Sequence, residues 1–469
     1  MATTLNAMFG VNVAGTDIAG NSNTSSTTVP VTRLRWRSAA PAAANAVVRA
    51  ALALDSRGNL YVGTQDTATT GRLVSLTPGG TPRFNVAVGA VQSVAIAESG
   101  LNAAQVELVY VSALMGASAS AVRVLGTDGG AVASASSSFC TDMLRPTYVA
   151  ISLFDAGVPA NGTLAEIGAL TAFNPLLASA PGSFCTYVPT SGASTLLSDS
   201  SMAMPNPDGT TVLSPANLVV LGRRAYVQRT DGALSLVDVN PLATVGISGA
   251  VGGGSAPTGL AIGSSNAALV ATWAGFNGSI LPIATYALPG APGPLPVTGA
   301  GWQTARPASI LASAVVTSTS RVGLQWLESM NLVGTTLGLP GAVAAPVSAF
   351  DQGGTLVVVG TGNRVYAVRR DGMLFVYDAV PAMGVTGLSP VWSDNLFAST
   401  IDLVAHPTLD CSRTAPGRPG TLYAVTLDGK VAAIIVDSTK LEPTAPWPKW
   451  QRTAGNAGNP AFALNPGCP

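Results

Sequence analysis

The chain has 469 residues, of which 47% are hydrophobic and only 10% charged, and its 23 basic side chains balance 23 acidic ones. A neutral chain lacks the cationic field that a broad phosphate-contacting surface needs, which argues against nucleic acid as a partner. With charge far below the roughly 25% usual for soluble domains, the surface falls to Ser, Thr, Gly, Asn and Ala, and 52 Gly with 33 Pro supply turns in quantity.

Residues 1–30 are rich in Asn, Ser, Thr and Gly and predict a flexible leader, or a segment ordered only by contact with something else. The first basic residue is Arg33, so no basic n-region and no signal peptide is visible. If the protein is secreted, Met1 is expected to stand where a signal was removed. The stretch "TRLRWRS" alternates Arg33, Arg35 and Arg37 with Leu34 and Trp36, the two-residue period of a half-buried strand. The apolar run "SAAPAAANAVVRAALALD" is interrupted by Pro41, Asn45 and Arg49, and no segment reaches the ~18 unbroken apolar residues of a membrane helix. From there to the C-terminus, short apolar runs alternate with Gly, Asp, Asn and Pro, as in "ALALDSRGNLYVGT" and "GRLVSLTPGGTPRFNVAV". No helical periodicity longer than three turns interrupts them.

One hairpin is written three times: "YVQRTDGALSLVDV" from Tyr226, "YAVRRDGMLFVYDA" from Tyr366 and "YAVTLDGKVAAIIV" from Tyr423. In each, Asp-Gly follows the Tyr by five positions (Asp231-Gly232, Asp371-Gly372, Asp428-Gly429), and Gly supplies the positive φ of a tight turn. Corresponding strands are sought at Tyr61, Tyr110, Tyr148, Ala268 and Ala314, giving successive gaps of 49, 38, 78, 42, 46, 52 and 57 residues. Most lie near the ~40–50-residue period of four-stranded propeller blades. The expected fold is therefore all-β, a β-propeller of about eight (alternatively seven) four-stranded blades over residues 31–450, with an insertion at about 173–210. A ring leaves no uncovered blade face. Residues 31–38 are a spare strand, and the last unit, 400–436, shows three strands, so the N-terminal strand is expected to close the ring. Residues 451–469 are expected to pack on the propeller as a tail.

On "DSRGNLYVGT", "RDGMLFVYD" and "TLYAVTLDGKVAAI", the units resemble the quinoprotein-like (PQQ-like) β-propeller repeat family. The closing "APWPKWQRTAGNAGNP" resembles a segment at the edges of such propellers: Trp447, Pro448, Trp450 and Gly455 match, while Thr453-Ala454 stands where Asp or His is common. "DSRGNLYV" fits an NHL-type propeller equally well. The resemblance implies a propeller; the adjacent cysteines and the Glu/Asn/Asp calcium site of quinoprotein dehydrogenases are missing, so no PQQ or other cofactor is expected.

No catalytic, cofactor or metal residue is assigned. His406 is the one histidine; a triad would need it, with Asp402 or Asp410 nearby, but nothing places a nucleophile. His406-Pro407 reads better as a strand end before a turn. "VVVGTGNRVYAV" (357–368) has Val365 where a dinucleotide fingerprint needs its third Gly and continues as a strand. "GAVGGGSAPTG" (249–259) lacks the Lys-Ser/Thr of a phosphate loop. The tryptophans read as packing residues, and the three arginines of "TRLRWRS" as the charge that keeps an edge strand from unwanted pairing, or as contacts for an acidic partner.

Cys140, Cys185, Cys411 and Cys468 show no metal-ligand spacing. Of the three possible pairings, nearest neighbours in sequence favour Cys140–Cys185 and Cys411–Cys468, against four buried free thiols. An even count in a low-charge chain suits an oxidising compartment. The expected function is a non-catalytic, extracytoplasmic binding or scaffolding module, in a surface or envelope assembly, with a protein partner or self-assembly. The alternative is an enzyme or binder of a small ligand or metal at the mouth of the central channel.

Overall fold

The structure is a computed structural model. It describes residues 7–39, 46–99, 106–114, 120–136, 355–369, 371–378, 390–397, 405–413 and 415–469 and, between 147 and 336, the strands given below. Every regular element among them is a strand apart from one short 3₁₀ turn at Thr361–Asn363. No described helix is long and apolar enough to cross a membrane.

The chain begins with β1 (Ala7–Thr16) and β2 (Ser22–Val31), which pair antiparallel over ten residues each. The composition suggested a flexible leader; the structure has a hairpin, because Asp17 Oδ1 and Oδ2 accept hydrogen bonds from Asn21 N and Nδ2 and clamp its turn. Next comes β3 (Leu34–Ala39), and then the sheets follow in order. The first is β4–β7 (Ala53–Leu54, Leu60–Gly63, Arg72–Leu76, Pro82–Ala87). The second is β8–β11 (Ala90–Ser99, Val106–Leu114, Ser120–Gly126, Ala131–Ser136). The third is β12–β15 (Thr147–Gly157, Glu166–Asn174, Ser183–Pro189, Leu196–Ala203). The fourth is β16–β19 (Pro215–Leu221, Arg224–Arg229, Leu234–Val239, Leu242–Ile247). The fifth is β20–β23 (Ser255–Ile262, Ala268–Gly275, Ile283–Ala287, Val297–Trp302). The sixth has three described strands, β24–β26 (Val315–Val316, Arg321–Gln325, Leu332–Thr336). The seventh is β27–β30 (Thr355–Gly360, Arg364–Arg369, Met373–Tyr377, Trp392–Asn395). The eighth contains β31–β33 (Thr408–Asp410, Thr421–Val425, Lys430–Ile435), and β3 pairs antiparallel with β33, Trp36 opposite Ala433 and Ser38 opposite Val431.

Apart from β3 with β33, every pairing inside these sheets is antiparallel between consecutive strands, as short turns require. Gly372 (φ 86°) and Gly429 (φ 85°) hold the Asp-Gly turns of the repeated hairpin, each donating its N–H back to the carbonyl three residues earlier, Arg369 and Thr426. Asp231-Gly232 lies outside the described residues.

Burial grades along each sheet. In the first, β4 and β5 are wholly buried, while β7 alternates exposed and half-buried positions. Inner strands are covered on both faces by neighbouring sheets; outer strands are not. The repeat tyrosines Tyr61, Tyr110, Tyr226, Tyr366 and Tyr423 all lie in second strands and are among the largest fully buried side chains. First strands are neighbours in chain order: β4 and β8, β8 and β12, β12 and β16, β16 and β20, then β24, β27 and β31, and β31 lies beside β4.

Tyr148 belongs to β12, a first strand, whereas the second strand of its sheet is Glu166–Asn174. The long gap after Tyr148 was therefore a slip of one strand. Residues 173–210 hold β14 and β15 of that same sheet, not an insertion. A Tyr in a short apolar run looks alike in a first and a second strand; only the hydrogen-bonded neighbours tell them apart. "AVVTST" likewise supplies the first strand β24.

Candidate functional site

The inner strands bring their backbones to the segment after β33. Residues 447–459 run past them almost entirely buried. Val359 N of β27 donates to Pro448 O (2.7 Å), Leu54 N of β4 to Ala454 O (3.0 Å), and Ile96 N of β8 to Gly455 O (2.7 Å). Leu153 N of β12 donates to Ala457 O (2.8 Å) and Val220 N of β16 to Gly458 O (2.9 Å). Carbonyls of one segment thus accept from inner strands of the seventh, first, second, third and fourth sheets in turn. Buried backbone donors need such partners.

Amide side chains complete the pairing from the other direction. Gln451 Nε2 donates to Leu218 O (3.0 Å), Asn456 Nδ2 to Leu52 O (3.0 Å) and Asn459 Nδ2 to Leu153 O (2.9 Å). Gln451, Arg452 and Asn456 have φ of 55°, 63° and 59°, a left-handed conformation unfavourable for residues other than Gly and Asn. Gly455 has no room for a side chain: a Cβ there would stand 2.7 Å from Ile96 O. This is the sequence "WPKWQRTAGNAGN", and its Gly and Asn residues serve backbone contacts rather than a flexible tail.

Lys449 is fully buried in this segment. Its Nζ donates to Trp450 O (3.0 Å), Thr453 O (3.1 Å) and Asn456 Oδ1, three acceptors for three ammonium protons. Burial lowers its pKa to about 7. The His406 ring stacks on Trp450, with centroids 5.0 Å apart and planes at 9°. Burial, and secondarily the charge of Lys449, lowers the His406 pKa to about 3. Its Nδ1 is buried without a hydrogen-bond partner among the described residues. His406 thus sits just before β31 as a packing residue. Asp410, the nearby carboxylate, is occupied by Arg413 and by Cys411 N; Asp402 lies outside the described residues.

Cys411 and Cys468 are bonded, with Cα atoms 6.0 Å apart across 57 residues, and tie the end of the chain to the eighth sheet. Cys140 and the side chain of Cys185 lie outside the described residues. Beside the bonded pair, Arg413 joins the eighth sheet to the first. It donates to Asp410 Oδ1 (2.7 Å), Pro466 O (3.0 Å), Asp55 O (3.2 Å) and Ser56 O. Burial raises the Asp410 pKa and the Arg413 charge opposes that rise. A cleft of about 540 Å³ opens at this seam.

The remaining sequence candidates serve the frame. Trp36 Nε1 donates to Pro78 O (2.9 Å), and Trp392 Nε1 to Asp437 Oδ2 (2.7 Å) under the Arg33 guanidinium. Trp447 is fully buried, and the side chains of Trp302 and Trp326 lie outside the described residues. Arg33 pairs with Asp437 (2.5 Å), Arg37 donates to Leu396 O (2.6 Å), and among the described residues Arg35 reaches only Thr421 Oγ1 (3.2 Å). "VVVGTGNRVYAV" is the β27–β28 hairpin; residues 249–254 lie outside the described residues. Sequence reasoning missed Lys449, Gln451, Asn456, Asn459 and Arg413. The one available signal was the pair of Gly-flanked asparagines, since Asn tolerates positive φ.

No family model matches the chain, and no curated protein matches it. Among solved structures, the Dos1 propeller matches with a TM-score of 0.54 and 12% identity, over 87% of this chain and 95% of that one. The fold is a β-propeller. Sqt1 of Saccharomyces cerevisiae matches this propeller with a TM-score of 0.56 and 8% identity, over 84% and 97% of the two chains. The computationally designed Ika8 protein matches with 0.51 and 14%, over 85% and 98%. At these identities the likeness carries the propeller fold and does not single out the quinoprotein-like repeats.

Proposed function

We propose that this propeller is a non-catalytic, extracytoplasmic module that binds a protein partner or assembles with other copies. The observation that carries the proposal is the course of residues 447–459. Where an enzyme or small-ligand binder of this fold would use the lining of its channel, the inner strands of five sheets are hydrogen-bonded to the chain's own C-terminal segment. That leaves the loops and outer edges for recognition, on a rigid frame. We infer further that the ring has eight sheets and is closed by the N-terminal strand. The neighbour relations of the first strands, ending with β31 beside β4, and the pairing of β3 with β33 support this. The repeated Tyr/Asp-Gly hairpin supports a quinoprotein-like ancestry without its cofactor. The bonded Cys411 and Cys468 support an oxidising compartment.

The test is cross-linking of the protein in envelope and secreted fractions of its native cells, read by mass spectrometry. A reproducible partner or self-contact, cross-linked to loop or outer-strand positions, is expected. Absence of any such contact, together with a stoichiometric co-purifying small molecule or metal, would overturn the reading.

A further inference from the structure

The seam between the eighth and first sheets carries more positive charge than its structural role needs. Six residues define its cleft for this purpose: Arg35 from β3, Arg57 from the β4–β5 turn, Arg413, Asp410, Pro419 and Ile435. The two terminal nitrogens of Arg413 are engaged by Asp410 and by three carbonyls, and its Nε is buried away from the cleft opening without a partner among the described residues. The two acidic groups behind the cleft are spent as well. The carboxylate of Asp55 accepts from Arg57 N, Asn59 and Tyr61, and that of Glu107 from Ser56 N and Oγ. Three guanidiniums therefore face one lining carboxylate, which is already paired.

Arg35 and Arg57 are both exposed. The Arg57 guanidinium has no hydrogen bond or ion pair among the described residues, and Arg35 has only a 3.2 Å contact to the Thr421 hydroxyl. Several other arginines are held, Arg33 on Asp437, Arg364 on Asp378 and Arg369 on Asp371 by ion pairs and Arg37, Arg83 and Arg452 by hydrogen bonds to carbonyls, whereas Arg35 and Arg57 face a shared cleft. Beside the free cations the cleft has an apolar wall, where Ile435 is 39% exposed, one of few large apolar side chains so placed among the described residues.

We propose that this cleft binds an acidic segment of a partner protein, with carboxylates on Arg35 and Arg57 and an apolar side chain against Ile435. The proposal rests on the binding-module reading and names its partner chemistry. Guanidinium forks match carboxylates in paired geometry, and the exposed stems of Arg35 and Arg57 stay free to adjust. A cleft of about 540 Å³ is of ligand-pocket size. The apolar wall and the neutral net charge of the chain favour an acidic peptide over a nucleic acid, whose binding would call for many phosphate contacts.

The probe is a fluorescein-labelled decapeptide of alternating Glu and Leu, followed by anisotropy with the full chain. Saturable binding is expected, weakened at least tenfold in the Arg35→Ala/Arg57→Ala double variant and strongly by added salt. Arg72→Ala, away from the cleft, should bind as the parent chain does. Both cleft arginines are exposed, so the double variant should melt within about 2 °C of the parent. Equal affinity of parent and double variant, or no saturable binding to the parent, overturns the proposal. Displacement of the peptide by a single-stranded oligonucleotide at lower concentration than by unlabelled peptide overturns the partner class. Repeating the cellular cross-linking with the double variant separates the two readings. A partner that persists at other positions sinks the cleft and leaves the binding module standing; no partner for either protein sinks the module itself.

Discussion

The two ends of this chain are made of similar residues and have opposite fates. Residues 7–31 and 447–459 both carry several Gly, Asn and Ala, the second with Lys449 and Arg452 among them. The first is a hairpin whose described side chains are exposed on both faces, with Ile18 at its tip fully so. The second is buried among five inner strands, with its carbonyls and amide side chains matched to theirs. Composition alone would have called both of them loops. What separates them is the presence of unsatisfied backbone groups within reach. The hairpin answers its own hydrogen bonds, while each inner strand needs a partner for its N–H, and the C-terminal segment is the one that arrives. The 57-residue link from Cys411 to Cys468 keeps it there.

The largest way to break this contrast is to remove the hairpin and the strand β3 together. Deleting residues 1–40 removes β3, exposes β33 and strips Tyr423 of its contact with Trp36 (centroids 5.9 Å apart). Thermal unfolding followed by circular dichroism should then show a midpoint lowered by at least about 10 °C, or no cooperative transition. An unchanged midpoint would refute the role given to β3.

Next in size is the covalent tie. A loop closed across 57 residues is worth about 4 kcal/mol in the chain-entropy account. Cys468→Ser should lose about that much in urea unfolding, and reductant should bring the parent chain to the same curve while leaving the variant unmoved.

Buried His406, and Lys449 of the C-terminal segment, give an effect of similar size that is spread over pH. The folded His406 holds its proton only below about 3, against 6.5 for the free group. Its stability contribution is therefore complete above 6.5 and is lost as pH falls toward 3, by about 1.4 kcal/mol per unit. Lys449 has the same sign, about 7 against 10.5, so raising pH from 7 toward 10.5 should stabilise the fold further. His406→Phe keeps a ring on Trp450 and should flatten the acid limb of the stability profile. If the slope between 6.5 and 3 is the same in parent and variant, His406 is not its source.

The smallest expected effect is at the other end. Deleting residues 1–31 but keeping β3 should shift the midpoint by less than about 2 °C, since a lone two-stranded hairpin adds little in water. A large loss would place the hairpin against the propeller after all.

The sequence by itself determined the all-β character and the repeat with its Asp-Gly turns, and it favoured Cys468 as the partner of Cys411, which the structure bears out. These are local or periodic signals: alternation every second residue, a Gly where φ must be positive, a count of cysteines. It pointed to "TRLRWRS" as a strand without a sheet of its own, because an apolar–basic alternation has no meaning in a coil. Only the tertiary structure decided which strand of a sheet Tyr148 occupies, that residues 183–189 and 196–203 are strands of that same sheet, and that the asparagines near the C-terminus line the inner strands. It also decided that Arg35 and Arg57, 22 residues apart in sequence, share one cleft with Arg413. The reason is physical: strand identity, burial of a polar segment and convergence of charges depend on which backbone donors and acceptors meet across hundreds of residues, and a local pattern carries no record of that meeting.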